Sequence, residues 1–142
     1  MPANVLIVDD SRTMRRMVKK TLAMAGLDFG EVFEAGNGIE ALAQLHSHDI
    51  GVVLLDINMP LMNGMQFLQR IRDDVRLRNT PVVIASTEGS ETRIRELMEM
   101  GAKGYVRKPF QPETLRNALV PIIGERENAM SDLDSTDADD AF

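Results

Sequence analysis

The stretch Val53-Leu54-Leu55-Asp56-Ile57-Asn58-Met59-Pro60-Leu61-Met62-Asn63-Gly64 decides how this chain is read. An apolar strand runs into one carboxylate, and Asn, Pro and Gly follow at once as turn chemistry. Alone, an aspartate in that place would do no more than cap the next helix. A second stretch, Val5-Leu6-Ile7-Val8-Asp9-Asp10, ends another apolar strand in two carboxylates. Parallel strands present their C-terminal ends along one edge of a sheet, where open α/β proteins bind ligands. Three carboxylates at one edge repel one another and need a cation or a strong donor between them. Oxygen-only ligands suit a hard ion such as Mg2+, which takes one or two carboxylates and keeps several waters. The expectation is metal-assisted phosphoryl chemistry at Asp56.

Around these two strands the chain alternates strand and helix, which argues for a parallel sheet covered on both faces. Strands are expected at about 4–8, 31–35, 50–55, 81–86 and 104–107. Val52-Val53-Leu54-Leu55 and Val82-Val83-Ile84-Ala85 are continuous apolar runs, as in strands buried on both sides. Ser11 is placed to cap a first helix with apolar positions Met14, Met17, Val18, Thr21, Leu22 and Ala25, and Gly26 ends it. Further helices are expected at 38–47, 64–75, 90–100 and 112–123, the last kinked or shortened by Pro121. The fold expected is α/β: a five-stranded, doubly wound parallel sheet.

A chain of 142 residues, 44% of them hydrophobic, is long enough for one domain with a real core. It has no Cys, so disulfides and thiolate zinc sites are excluded. No apolar run approaches the roughly 18 residues of a membrane span, and the first strand opens without a signal peptide. A cytoplasmic location without membrane insertion is expected. The net charge of −6 lies entirely in residues 125–142, which carry seven acidic side chains against Arg126. Residues 1–124 hold 15 acidic and 15 basic side chains and are neutral, which argues against nucleic-acid binding. The chain divides into a domain at 1–124 and a stretch at 125–142 read as an acidic disordered tail.

Phosphoryl transfer needs two parts beyond the carboxylates: a hydroxyl for a phosphoryl oxygen and a positive charge to balance it. Val82-Val83-Ile84-Ala85-Ser86-Thr87 puts a hydroxyl after the fourth strand, and Gly104-Tyr105-Val106-Arg107-Lys108-Pro109-Phe110 puts a lysine after the fifth. Singly, these are a turn serine and a surface lysine. Together, at four of five strand ends, they make a site. The order Asp-Asp, Asp-x-Asn-Met-Pro-x-Met-x-Gly, Ser-Thr-Glu, Lys-Pro-Phe closely resembles the receiver domain of two-component response regulators, over about residues 3–123. The stand-alone, CheY-like members are the most similar.

The resemblance implies Asp56 as phosphoacceptor from a histidine kinase phosphohistidine, with Lys108 paired to the phosphoryl group. It implies Mg2+ on Asp10, Asp56 and the backbone carbonyl of Asn58, with Asp9 acting through water. It implies Ser86 and Tyr105 as the switch pair, a cis Lys108–Pro109 bond, and tuning of autodephosphorylation by Asn58 and Glu88. The implied output is a protein contact on the fourth helix, fifth strand and fifth helix of a monomer, in chemotaxis or another pathway. Self-phosphorylation from the donor and autodephosphorylation would be its only chemistry. A phosphorelay intermediate that passes phosphate to a histidine phosphotransfer protein is the alternative. A haloacid-dehalogenase-like phosphatase would need Asp two residues after the nucleophile, where this chain has Asn58.

Three features need another reading. Gly36-Asn37-Gly38-Ile39-Glu40-Ala41 fits a dinucleotide fingerprint with Asp56 following at 20 residues, but a complete strand–helix unit precedes it, so a simple turn is expected. Arg12, Arg15, Arg16, Lys19 and Lys20 cluster on the first helix. They are read as a solvated face, with docking to a kinase or an anionic ligand as the other possibility. Met14, Met17 and Met98 sit at core spacing and are expected to pack inside.

Overall fold

Five strands run parallel because the helix after each of the first four returns the chain to the edge where the next strand begins. The computed structural model describes residues 2–59, 61–87 and 91–124. Its elements are β1 (Ala3–Val8), α1 (Arg12–Met24), β2 (Phe29–Ala35), α2 (Gly38–Ser47) and β3 (Val52–Leu55), followed by α3 (Gly64–Asp73), β4 (Val82–Ser86), α4 (Glu91–Glu99), β5 (Gly104–Arg107) and α5 (Pro112–Ile123). The sheet order is β2-β1-β3-β4-β5, and every pairing is parallel. The doubly wound fold expected from the alternation is the one observed. Pro60, Glu88 and residues 125–142, the proposed tail, lie outside the described residues.

Successive residues of a strand point to opposite faces, so one sheet builds two cores. Leu6, Val8, Val53, Leu55 and Ile84 face Phe67, Leu68, Ile71 and Leu97 of α3 and α4. Val5, Ile7, Val52, Leu54, Val83 and Ala85 face Val18, Leu22, Leu115 and Leu119 of α1 and α5. Burying one such Leu or Ile contributes about 1.5–3 kcal/mol, so each helix is held by its apolar stripe.

Side chains set the starts of α1, α2 and α3. Ser11 Oγ accepts from the Met14 amide at 3.1 Å, and Asn37 Oδ1 accepts from the Glu40 amide at 2.9 Å. Asn63 and Gln66 form a reciprocal capping box at α3. Gly26, at φ +70°, ends α1 in the left-handed conformation that glycine adopts without cost.

Two packing expectations fail. Met17 and Met98 are 51% and 41% exposed, so among the described residues no element covers the edge of the helical stripe on which each lies. Met14 does pack against the α1–α5 core. The fifth helix spans Pro112–Ile123 as expected, with Pro121 inside it, and the Gly124 amide donates to Val120 O at 2.9 Å.

Candidate functional site

The sheet carries its polar residues just past the strand ends and holds each one by its backbone. The Asp9 amide donates to Ala35 O at 3.0 Å, the Asp56 amide to Val8 O at 2.9 Å, and the Lys108 amide to Ser86 O at 3.0 Å. The ladder therefore extends one residue beyond its apolar part, and the functional side chains inherit its rigidity. Since Val8 pairs with Leu55, Asp9 and Asp56 emerge side by side. Gly64 fixes the other side of Asp56. Its amide donates to Ile57 O at 2.7 Å, and a Cβ there would lie 2.8 Å from Ile57 Cα. Only glycine lets the start of α3 approach that closely.

Asp9, Asp10 and Asp56 each present a carboxylate oxygen, all within 4.8 Å of one another. Asp9 and Asp56 are buried and Asp10 is exposed. The Lys108 ammonium, itself buried, contacts Asp9 Oδ2 and stands 3.8 Å from Asp56 Oδ1. Burial pushes the Asp56 carboxyl above the usual carboxylate range, and Asp9 and Asp10 push the same way. Lys108 and a hydrogen bond from the fully buried Ser86 pull against them without cancelling the effect. This is a site with more negative charge than one ammonium neutralises. Three convergent oxygens with no nitrogen or sulfur are a donor set for a hard divalent cation, so the residues present fit Mg2+.

Residues 5–120 match the response regulator receiver domain. The chain belongs to that family. Among its relatives is the chemotaxis protein CheY1 of Helicobacter pylori, 36% identical over 124 residues that cover 87% of this chain and 98% of that protein. The structure of Vibrio cholerae CheY4 superposes with a TM-score of 0.76 at 39% identity, covering 86% of this chain and 99% of that one. A chain of the CheX–CheY–BeF3–Mg2+ complex from Borrelia burgdorferi gives a TM-score of 0.77 at 29% identity, over 86% of this chain and 90% of that one.

In this receiver domain, Asp9, Asp10, Asp56, Ser86 and Lys108 come together at one sheet edge. Thr87, next to Ser86, is exposed. Asn58 is exposed two residues after Asp56, and Tyr105 is half-buried on β5 against the α3–α4 core. The Lys108–Pro109 bond is cis. Glu88 lies outside the described residues. The dinucleotide-like glycines form no phosphate cradle. The Gly36 amide is taken by Glu40 Oε1 at 2.7 Å, and a Cβ on Gly38 would meet the Met62 side chain at 2.8 Å. Sequence reasoning missed the close approach of Gly64. It also treated Arg15 as one of five solvated cations, whereas Arg15 is only 14% exposed and bonded at both ends of its guanidinium.

Proposed function

We propose that this receiver domain accepts a phosphoryl group on Asp56 and relays the change to a protein-binding surface. The observation that carries this reading is the buried Asp56 carboxylate, with Lys108 Nζ 3.8 Å away, the Ser86 hydroxyl bonded to it, and two further carboxylates beside it. An Asp56 oxygen attacks the phosphorus of a kinase phosphohistidine. A P–O bond forms as the P–N bond breaks, and the imidazole leaves with the electron pair. The Lys108 ammonium balances charge on the incoming group, and the Ser86 hydroxyl turns its donor to a phosphoryl oxygen. Asp10, Asp56 and the Asn58 carbonyl would hold Mg2+ directly and Asp9 through water; the ion supplies neutralisation of the phosphoryl oxygens.

Ser86 drawn toward the phosphoryl group vacates the space into which the Tyr105 ring turns, which biases a pre-existing equilibrium of the α4–β5–α5 face. Asn58 and Glu88 tune the short life of the aspartyl phosphate. Chemotaxis is the favoured process, because relatives at 36–41% identity carry that name. The BeF3 and Mg2+ in the Borrelia complex support the same site chemistry. A domain that reaches residue 124 is supported by Ile122 and Ile123, which pack against the α1–α5 core, and by Gly124 O, which accepts from the Asp28 amide at 3.3 Å.

The test is amide NMR of the whole chain with Mg2+ and beryllofluoride. Shifts are expected at Ser86 and Tyr105 and along α4 and α5 as well as at Asp56. Shifts confined to the loops of Asp9, Asp10 and Asp56 would leave an acidic pocket without a switch and overturn the reading.

A further inference from the structure

We infer that Arg15, held by Glu34, is a positioning residue that aims Asp10 into the acidic pocket. The inference rests on the reading of Asp9, Asp10 and Asp56 as a Mg2+ pocket, and it concerns what fixes that pocket's exposed member.

Among the described residues, no hydrogen bond or ion pair holds the Asp10 side chain. The backbone therefore sets where its Cα–Cβ bond points, and with it the rotamers that reach the pocket. Asp9 C=O and Asp10 N–H lie in one rigid peptide plane and point in opposite directions, so fixing one fixes the other. Arg15 Nη1 donates to that Asp9 carbonyl at 2.6 Å. Its Nε donates to Glu34 Oε1 at 2.9 Å, across to β2. The guanidinium thus bridges the Asp9 carbonyl and Glu34 on β2, the strand beside β1, in the fork geometry that arginine supplies and lysine lacks.

The neighbouring atoms complete the clamp. The Asp9 amide is held by Ala35 O at 3.0 Å, and Asp9 Oδ1 accepts from the Ser11 amide at 2.9 Å. Lys108 and the Ser11 amide hold the Asp9 carboxylate, and Arg15 holds its carbonyl. Lys19, at 3.8 Å from Glu34 Oε2 and 53% exposed, adds charge but touches neither Asp9 nor Asp10. Arg12, Arg16 and Lys20 are exposed and act as the solvated face read from the sequence.

Charge and position are separable, because Arg16 carries the same charge one residue away. Groups that orient metal ligands typically contribute about 10–100-fold in affinity, so Arg15→Ala should weaken Mg2+ binding about tenfold in calorimetric titration. Arg16→Ala should change it less than about twofold, since an exposed charge is screened within a Debye length. Arg15→Lys should not restore wild-type affinity. Glu34→Gln releases the far anchor while keeping Arg15, and serves if Arg15→Ala does not fold; it should weaken binding in the same direction. In metal-free protein, hydrogen exchange at the Ser11 amide, which donates to Asp9 Oδ1 at 2.9 Å, should speed up in Arg15→Ala and Glu34→Gln with β3–β4 amides unchanged.

Equal losses in Arg15→Ala and Arg16→Ala, or full rescue by Arg15→Lys, would reduce the effect to charge and overturn the inference. So would unchanged exchange at the Ser11 amide. Asp10→Asn separates the two levels: if it leaves Mg2+ affinity intact, the metal-pocket reading fails, and the exchange measurement alone judges the clamp.

Discussion

Replacing Lys108 with Met is expected to lower stability by about 3–5 kcal/mol in Mg2+-free buffer at neutral pH, as when one partner of a buried ion pair is removed. Met keeps most of the aliphatic stem, so the loss isolates the ammonium. Without it, burial, Asp9 and Asp10 all raise the Asp56 carboxyl, and of the opposing effects only the Ser86 hydrogen bond remains. A carboxyl whose folded pKa is raised binds more protons folded than unfolded, so stability falls as pH rises through that window. The deficit should therefore shrink as pH drops toward the ordinary carboxylate range near 4. In a domain of this size each kcal/mol moves Tm by about 3–5 °C, so the neutral-pH drop should be roughly 10–20 °C. Added Mg2+ should recover part of it. Thermal unfolding across pH, with and without Mg2+, checks this, and an unchanged Tm would mean that Lys108 does not balance the pocket.

Asp56→Asn is expected to act in the opposite direction. The Asp56 carboxyl is already raised above its ordinary value of 3.8, so at neutral pH its ionised form costs stability relative to the unfolded chain. Asn keeps the shape and an acceptor for the Ser86 hydroxyl while removing repulsion from Asp9 and Asp10. Lys108 keeps its contact with Asp9. A gain of about 1 kcal/mol, or roughly 3–5 °C, should follow in metal-free protein. It should fade as pH falls through the raised Asp56 value toward 3.8, because the protonated wild-type carboxyl already carries no charge. A variant that loses stability at neutral pH would show that the carboxylate is favourably held.

The strand ends were legible because each pairs an apolar run with a polar residue in a parallel architecture. This rule reached Asp9, Asp10, Asp56, Ser86 and Lys108 without any knowledge of distance. The start of β2 was less legible. Phe29-Gly30-Glu31 has no apolar run, and it pairs with β1 through an irregular register between Ala3 and Val5. There the Asn4 side chain accepts from the Glu31 amide at 2.8 Å. Met17 and Met98 show the limit of helical spacing, which gives the side of a helix but not how far its neighbours cover it. Arg15 depends on a contact across the fold, since it meets Glu34 over 19 positions. Gly64 stands inside the quoted stretch, but its close approach to Ile57 comes from how that loop folds back on itself, which residue types alone do not give.

The central claim is that Asp56 accepts the phosphoryl group, and acetyl phosphate labelling followed by intact-mass spectrometry tests it most directly. The whole chain should gain the mass of one phosphoryl group only when Mg2+ is present and lose it again on standing. Asp56→Asn should gain none. Undiminished labelling of Asp56→Asn, or labelling of the wild type that ignores Mg2+, would contradict the account.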